Sequence, residues 1–558
     1  MDIKQIQKEL KEQKQTARLF TLGNLFIDED ILPEENQILS LTDFSGSYAI
    51  LLITQTKAFL FVDGRYELQA KKEVKSRQIE IVKLSEISFH NWLKKNFADT
   101  TAKISYNPWV ISIEAINSLS TILPKATFIP LPEPEKLLSP KKAKVFVHQK
   151  KFTGKIAKEK IADFVKYVKK QNLDAFLVTS AANVSWLLNL RSNALPYTPL
   201  FRAYALIEKS GSVKIFSEHC DLASTHSFDE LAKILPSYQK LGADFDITPM
   251  IIKSYAPQII HCADIITNSK SVKNPTELKG IKNAHIRDGV ALSKFLFWLS
   301  KNYKGKTETE VAEKLLSFRK KENNFFSESF ATIAGFGPNA ATVHYHASEK
   351  NAATLKKNSL LLLDSGAQYF DGTTDVTRTV ALGTPSSDMI EKNTLVLKAH
   401  IALASAVFPL ETSGNELDLV ARQPLLQKGL TYEHGTGHGV GFFSNVHEGP
   451  ARISIHAKHS APLTAGMITS IEPGYYKEKA FGIRIENLYV VKTMKSSKFL
   501  NFEVLTMAPL DKRLINKYML TAEETAWLNQ YHRLVFANLK KYLTKQEMEW
   551  LKDACAPI

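Results

Sequence analysis

The chain has 558 residues, too many for one hydrophobic core, so about two to four domains are expected. With 44% apolar, 23% charged and 10% aromatic residues, it has the composition of an ordinary soluble globular protein, which argues against a disordered or fibrous class. The net charge of +15 comes from lysines dispersed along the chain, as in "KELKEQKQ", "KKAK" and "KYVKK", so a solvated basic exterior is expected and a nucleic-acid partner is not.

The N-terminal "MDIKQIQKELKEQKQ" reads as a charged helix without the apolar core of a signal peptide. No stretch approaches the ~20 apolar residues of a membrane span, so no membrane partner is expected. Cys220, Cys262 and Cys555 lie far apart with no ligand spacing, as in a reducing compartment. A cytoplasmic location follows as an expectation.

Two regions then echo each other. "SYAILLITQTKAFLFVDGRY" begins at Ser47 and "AYALIEKSGSVKIFSEHC" at Ala203; each reads as an apolar strand, a short polar turn and a second strand. Each region also carries a basic helical stretch, so two related non-catalytic α/β modules are expected. Scaffold and subunit contact are the expected roles of these modules, and "DGRY" (Asp63 to Tyr66) and "WLLNLR" (Trp186 to Arg191) are the segments for the alternative, reaching an active site from outside. Pro130, Pro132, Pro134 and Pro140 suit an extended connection between the modules. Asn274, Pro275 and Glu277 are a helix start: a capping side chain, a first-turn proline and an acid at the positive end. The domains are thus placed at 1–146, 147–270 and 271–558.

The chemistry gathers between residues 340 and 490. In "SLLLLDSGAQYFDGTTDVTRTVAL", Leu360–Leu363 form a buried strand, Asp371-Gly372 signals a turn, and the chain returns as a second strand. Alternation puts Asp375, Thr377 and Thr379 on one face, and the hairpin brings Asp364 beside Asp375. Two carboxylates so close repel unless a cation lies between them. "EHGTGHGVGFFSNVHEGP" adds His434, His438 and His447 in a glycine-rich loop, where backbone and ligands approach closely. "TSIEPGYY" ends an apolar run on Glu472, and period two in "GIRIEN" puts Arg484 and Glu486 on one face. Asp364, Asp375, Glu472 and Glu486 carry four negative charges, balanced by two divalent cations. With one histidine the ligand set is mostly oxygen, which suits Mn²⁺, with Zn²⁺, Co²⁺ or Fe²⁺ as alternatives. A network of buried salt bridges fits less well, because only Arg378 and Arg484 are near in sequence to oppose the acids. Two metals about 3.5–4 Å apart hold a bridging water and lower its pKa enough to make a nucleophile.

"HYHA", "DSGAQYFDGTTDVTRT", "HGTGHGVG…NVHEGP", "EPGYY" and "FGIRIEN" together resemble the pita-bread metallopeptidase family, most closely its Xaa-Pro aminopeptidase (aminopeptidase P) branch in the long three-domain form. The resemblance covers essentially the whole chain. It implies an α/β (α+β) protein in which two creatinase-like α/β modules precede a pita-bread catalytic domain with a C-terminal helical extension. It implies that Asp364 chelates one metal, that Asp375 and Glu486 bridge, and that His438 and Glu472 bind the other. Glu472 would shuttle the proton of the attacking water, His344 would contact substrate near the scissile bond, and His447 would stabilise the tetrahedral intermediate. His434 would meet the proline side of the substrate, and Arg484 would support the substrate side of the site by orienting Glu486. His346, two residues after His344, is expected at the surface.

The resemblance further implies a homodimer whose partners are peptides with proline in the second position, cleaved at the N-terminal Xaa-Pro bond through a metal-bridging hydroxide. A prolidase-type dipeptidase shares the ligands; the extra middle module and "NVHEGP" favour the aminopeptidase. A methionine aminopeptidase is shorter and lacks two such modules. A non-catalytic pita-bread binding module has generally lost ligands, and this chain keeps all five positions.

Overall fold

The computed structural model describes residues 2–132, 143–218, 220–456, 460–495 and 498–558. Pro134 and Pro140 of the expected connection lie outside them. The chain divides into two compact units. The first comprises Met1–Gln149, Lys155–Leu195 and Leu200–Ile266; the second comprises Lys150–Gly154, Pro196–Pro199 and Thr267–Ile558.

Two sheets build the first unit. The strands of one are Ala17–Thr21, Ile50–Thr54, Ala58–Val62, Ile79–Lys83, Lys103–Tyr106 and Thr127–Pro130; those of the other are Ala175–Val178, Tyr204–Glu208, Val213–Phe216, Thr225–His226, Leu241–Ala243 and Ile260–His261. Counted by chain order within each sheet, both run fourth, third, second, first, fifth, sixth. Directions match as well: the first strand pairs antiparallel with the second and parallel with the fifth in both sheets. The echoing hairpins of the sequence are the second and third strands of each module. One apolar cluster joins Leu25, Phe26 and Trp109 of the first module to Leu177, Tyr204 and Leu206 of the second. Arg202 clasps Glu35 with two bonds of 2.7 and 3.0 Å across the same seam. A shared core of this kind makes the two modules one compact unit.

Within this unit Asp63 is paired with Arg65 at 2.7 Å. Arg191 is buried, and its Nη1 donates to the carbonyls of Ser185 and Leu190.

The second unit opens on the helix Pro275–Asn302. Asn274 accepts from the amides of Thr276 and Glu277, and Glu277 returns a bond to the Asn274 amide at 2.9 Å. This reciprocal cap satisfies donors the first turn leaves open. Helices Glu308–Arg319, Ser387–Ala404, Gly414–Leu426, Ala522–Leu539 and Lys545–Ala554 cover sheets whose central strands are buried hairpins.

Two of these hairpins carry interrupted ladders. Ser359–Ser365 pairs antiparallel with Val376–Leu382 up to Ser365 opposite Val376, and a separate ladder resumes at Gln368 opposite Thr373. The interruption holds Gly366 on one strand and Thr374-Asp375 on the other. In the second hairpin Ile468–Ile471 pairs with Asn487–Thr493, and Gly474–Lys477 pairs with Phe481–Arg484. Here the interruption holds Glu472-Pro473 opposite Ile485-Glu486. Proline cannot donate to a ladder, and the Ile485 amide instead reaches the Pro473 carbonyl at 3.3 Å. "GIRIEN" is therefore two strands with a break at Ile485-Glu486, not the continuous strand that period two suggested.

Candidate metal centre

The acids sit at or next to these interruptions. A side chain at a ladder break is released from the regular pleat and can turn towards the opposite strand. Asp364, Asp375 and Glu486 are buried, at 8, 4 and 1% exposure, and Glu472 and His438 are half-buried. Ligand atoms of Asp375, His438 and Glu486 all lie within 4.8 Å of one another. His438 Nε2 is 3.5 Å from Asp375 Oδ2 and 3.4 Å from Glu472 Oε1. Its Nδ1 lies 3.0 Å from the Gly439 carbonyl, which can only accept, so Nδ1 carries the proton and Nε2 offers its lone pair to the acids.

Each acid is also held from behind. Thr377 Oγ1 donates to Glu486 Oε2 at 2.7 Å, and Ser470 Oγ donates to Glu472 Oε1 at 3.1 Å. Ser470 Oγ also accepts from the His438 amide. Glycine is needed where these chains touch: a Cβ on Gly437 would stand 2.1 Å from the Ser470 carbonyl oxygen, and one on Gly439 would stand 2.1 Å from that of Glu448.

Arg484 corrects one expectation. Its guanidinium is buried and donates to Asp364 Oδ2 at 2.6 Å and to the Tyr476 hydroxyl at 2.6 Å, not to Glu486. It reaches Glu486 only through Thr377, whose Oγ1 accepts from Nε at 3.3 Å. The break after Arg484 is the cause: the side chain leaves the second hairpin towards the strand that carries Asp364. Arg378 turns to the opposite face and donates to the carbonyls of Thr377, Glu486, Ala508 and Pro509. Among the described residues, no lysine or arginine pairs with Asp375, Glu472 or Glu486.

One guanidinium thus faces four carboxylates. Burial pushes Asp364 up to about 6, Arg484 opposing and the charges of Asp375 and Glu472 adding to the rise. Glu486 is pushed well above the usual range by burial, then by Asp375, Glu472 and Asp364. Asp364 Oδ1 is buried with no hydrogen-bond partner, although Oδ2 holds Arg484. A buried carboxylate oxygen left unpaired beside crowded acids is what a cation ligand looks like without its cation. The residues present fit divalent metal.

The histidines surround this cluster unequally. The His447 ring stands perpendicular to that of His438, with centroids 4.3 Å apart, and His447 is exposed. His434 is buried; its Nδ1 donates to the Gly435 carbonyl, so Nε2 accepts from the Tyr476 hydroxyl at 2.9 Å. His344 is half-buried in a turn, after Val343, whose carbonyl lies 3.5 Å from the Arg484 guanidinium. His346 is exposed. Tyr476 of "EPGYY" links His434 to Arg484 and, through the guanidinium, to Asp364, a part that no local pattern in the sequence marks.

Comparison with known proteins covers nearly the whole chain. Metallopeptidase family M24 matches residues 279–493, and the C-terminal region of peptidase_M24 matches 498–558. The Creatinase/Prolidase N-terminal domain matches twice, at 3–137 and 136–277. A probable Xaa-Pro aminopeptidase P of Paracoccidioides brasiliensis (strain Pb03) is 35% identical, over 98% of this chain and 97% of its own. Xaa-Pro aminopeptidase 1 of Dictyostelium discoideum is 34% identical, over 98% of this chain and 95% of its own. The crystal structure of X-prolyl aminopeptidase from Caenorhabditis elegans, described as a cytosolic enzyme with a di-nuclear active site, superposes with a TM-score of 0.91. That protein is 32% identical over 98% of this chain and 95% of its own. The prolidase of Pyrococcus horikoshii OT3, 27% identical with a TM-score of 0.52, covers 63% of this chain and 99% of its own.

Proposed function

The chain belongs to the Xaa-Pro aminopeptidases of metallopeptidase family M24, and from that premise we propose how its own residues divide the work. It is a metal-dependent aminopeptidase that hydrolyses the N-terminal Xaa-Pro bond of peptides. Asp364, Asp375, His438, Glu472 and Glu486 hold two divalent cations, with Mn²⁺ the preferred ion because the donors are mostly carboxylate oxygens. Bound there, the metals supply Lewis acidity and a water of lowered pKa.

Glu472 is half-exposed, beside His438 and steadied by Ser470, so it takes the proton of the attacking water and returns it to the leaving nitrogen. His447, exposed and packed against the His438 ring, donates to the oxyanion that develops on the scissile carbonyl. His344 contacts substrate near the scissile bond, and His434 contacts the proline ring. The Xaa-Pro bond has no N–H, so orientation must come from groups that do not need that donor. Arg484 orients Asp364, with Tyr476 fixing its second arm.

The observation that carries this reading is the unpaired, buried Asp364 Oδ1 beside acids that, among the described residues, no lysine and only one arginine opposes. A prolidase-type dipeptidase is not favoured, because the relatives that match end to end carry the aminopeptidase name. The reading also includes a cytoplasmic homodimer. Its supports are the three unpaired cysteines and the exposed Leu419 and Leu426, two turns apart on one helix. No helix among the described residues is long and apolar enough to cross a membrane.

The test is release of the first residue from an Xaa-Pro-Xaa tripeptide after chelation and addition of Mn²⁺. We expect no turnover in chelator, recovery with Mn²⁺, and much slower cleavage of Xaa-Pro dipeptides. Cleavage of dipeptides alone would assign the chain to the prolidase reaction.

A further inference from the structure

Behind the His447 loop lies an ion cluster that this reaction does not use. Glu448, the next residue, points inward with its side chain 2% exposed. Lys273 Nζ donates to Oε1 at 2.6 Å and Lys270 Nζ to Oε2 at 3.0 Å, and both lysines are buried. Burial alone would raise the Glu448 carboxyl, and the two ammonium groups overcome it and hold the group below its usual range. A buried ion cluster is a weak source of stability, because apolar side chains of similar volume commonly do as well. What charges with fixed partners do provide is a fixed position.

The main chain here is stitched to the metal centre. The Glu448 amide donates to the Gly439 carbonyl at 2.8 Å, and that carbonyl also receives Nδ1–H of His438. The Gly439 amide in turn donates to the Ala451 carbonyl at 2.8 Å. His447 and Glu448 therefore point opposite ways from one anchored peptide, the imidazole towards the His438 ring and the carboxylate towards the lysines.

We propose that Glu448, clamped between Lys270 and Lys273, is a positioning residue that sets His447 at the metal centre for the hydrolytic step. The proposal rests on the reading of His447 as the oxyanion donor. Lys270 and Lys273 are its far anchors, in the segment just before the helix Pro275–Asn302.

The experiment is a double-mutant cycle on the full chain loaded with Mn²⁺, using Glu448→Gln, His447→Ala and both together, with an Xaa-Pro-Xaa tripeptide as substrate. Glutamine keeps the shape of Glu448 but offers one acceptor and turns an amide NH₂ towards an ammonium. We expect Glu448→Gln to lower kcat about 10- to 100-fold, the loss expected when a reacting group shifts by about 1 Å. KM should move less than about threefold and bound metal per chain should stay unchanged. The double variant should be no slower than His447→Ala alone, because a residue acting only through His447 has nothing further to lose. Losses that multiply in the double variant, loss of metal, or an unchanged kcat in Glu448→Gln would each overturn the clamp. A wild-type kcat in His447→Ala would instead overturn the oxyanion reading, and the clamp with it. A slow His447→Ala beside an unaltered Glu448→Gln would remove the clamp alone. If Glu448→Gln does not fold, Lys270→Gln, which keeps the 2.6 Å pair with Lys273, goes through the same cycle with the same criteria.

Discussion

Asp364 shows how one side chain can be costly for folding and necessary for chemistry. Oδ2 is neutralised by Arg484, while Oδ1 is buried without a partner. In metal-free protein Asp364 and Glu486 are carboxyls whose charged form burial and the neighbouring acids disfavour. The folded pKa of Asp364 is about 6, and that of Glu486 is also raised, both above the ~4 of an unfolded carboxylate. Between those values the folded state binds more protons than the unfolded one, so stability falls as pH rises. We expect metal-free protein to melt at a higher temperature at pH 5 than at pH 7.5, and Mn²⁺ to abolish that order. Asp375→Asn, with one charge fewer, should flatten the apo dependence. Thermal melts in chelator across this range measure it, and a metal-free protein more stable at pH 7.5 would contradict it.

At the scale of elements, the site is made by two hairpins whose ladders stop at the same depth. Thr377 illustrates the consequence: it follows Asp375 by two, so it shares that face and meets Glu486 from the other hairpin at 2.7 Å. Thr377→Val keeps the shape and removes the hydroxyl. Loss of such a bond behind a ligand costs about 10–100-fold in metal affinity, and calorimetric titration with Mn²⁺ should show it with little change in melting temperature. Unaltered affinity would mean that the two hairpins are not coupled through this hydroxyl. Much of this was legible in the sequence. The apolar run before Asp364, the Asp371-Gly372 turn, the period-two face of Asp375 and the cap at Asn274 are local patterns, and local patterns fix local structure. The break at Ile485-Glu486 was not legible, because its cause, Pro473, sits on the opposite strand. Nor was the partner of Arg484, which depends on where that break aims the side chain. The clamp on Glu448 was hidden for the same reason, since Lys273 lies 175 residues away along the chain.

For the whole molecule, repetition and asymmetry go together. Two modules with one strand order share a core in the first unit, and all five proposed metal ligands fall in the second. Metal binding is therefore linked directly to the unfolding of the second unit alone. A ligand that binds only folded protein stabilises it by about 2.7 kcal/mol at a hundred times its dissociation constant. For a unit of about 300 residues that corresponds to a shift of about 4 °C. Scanning calorimetry of the full chain should resolve two transitions, because each unit closes its own apolar clusters. Chelation should lower one of them by that amount and leave the other in place. Asp375→Asn should fix the assignment, since only the transition of the second unit loses its response to Mn²⁺. If one transition moved as a whole with metal, the units would be unfolding as one cooperative body, and the α/β modules would then contribute directly to the stability of the metal centre.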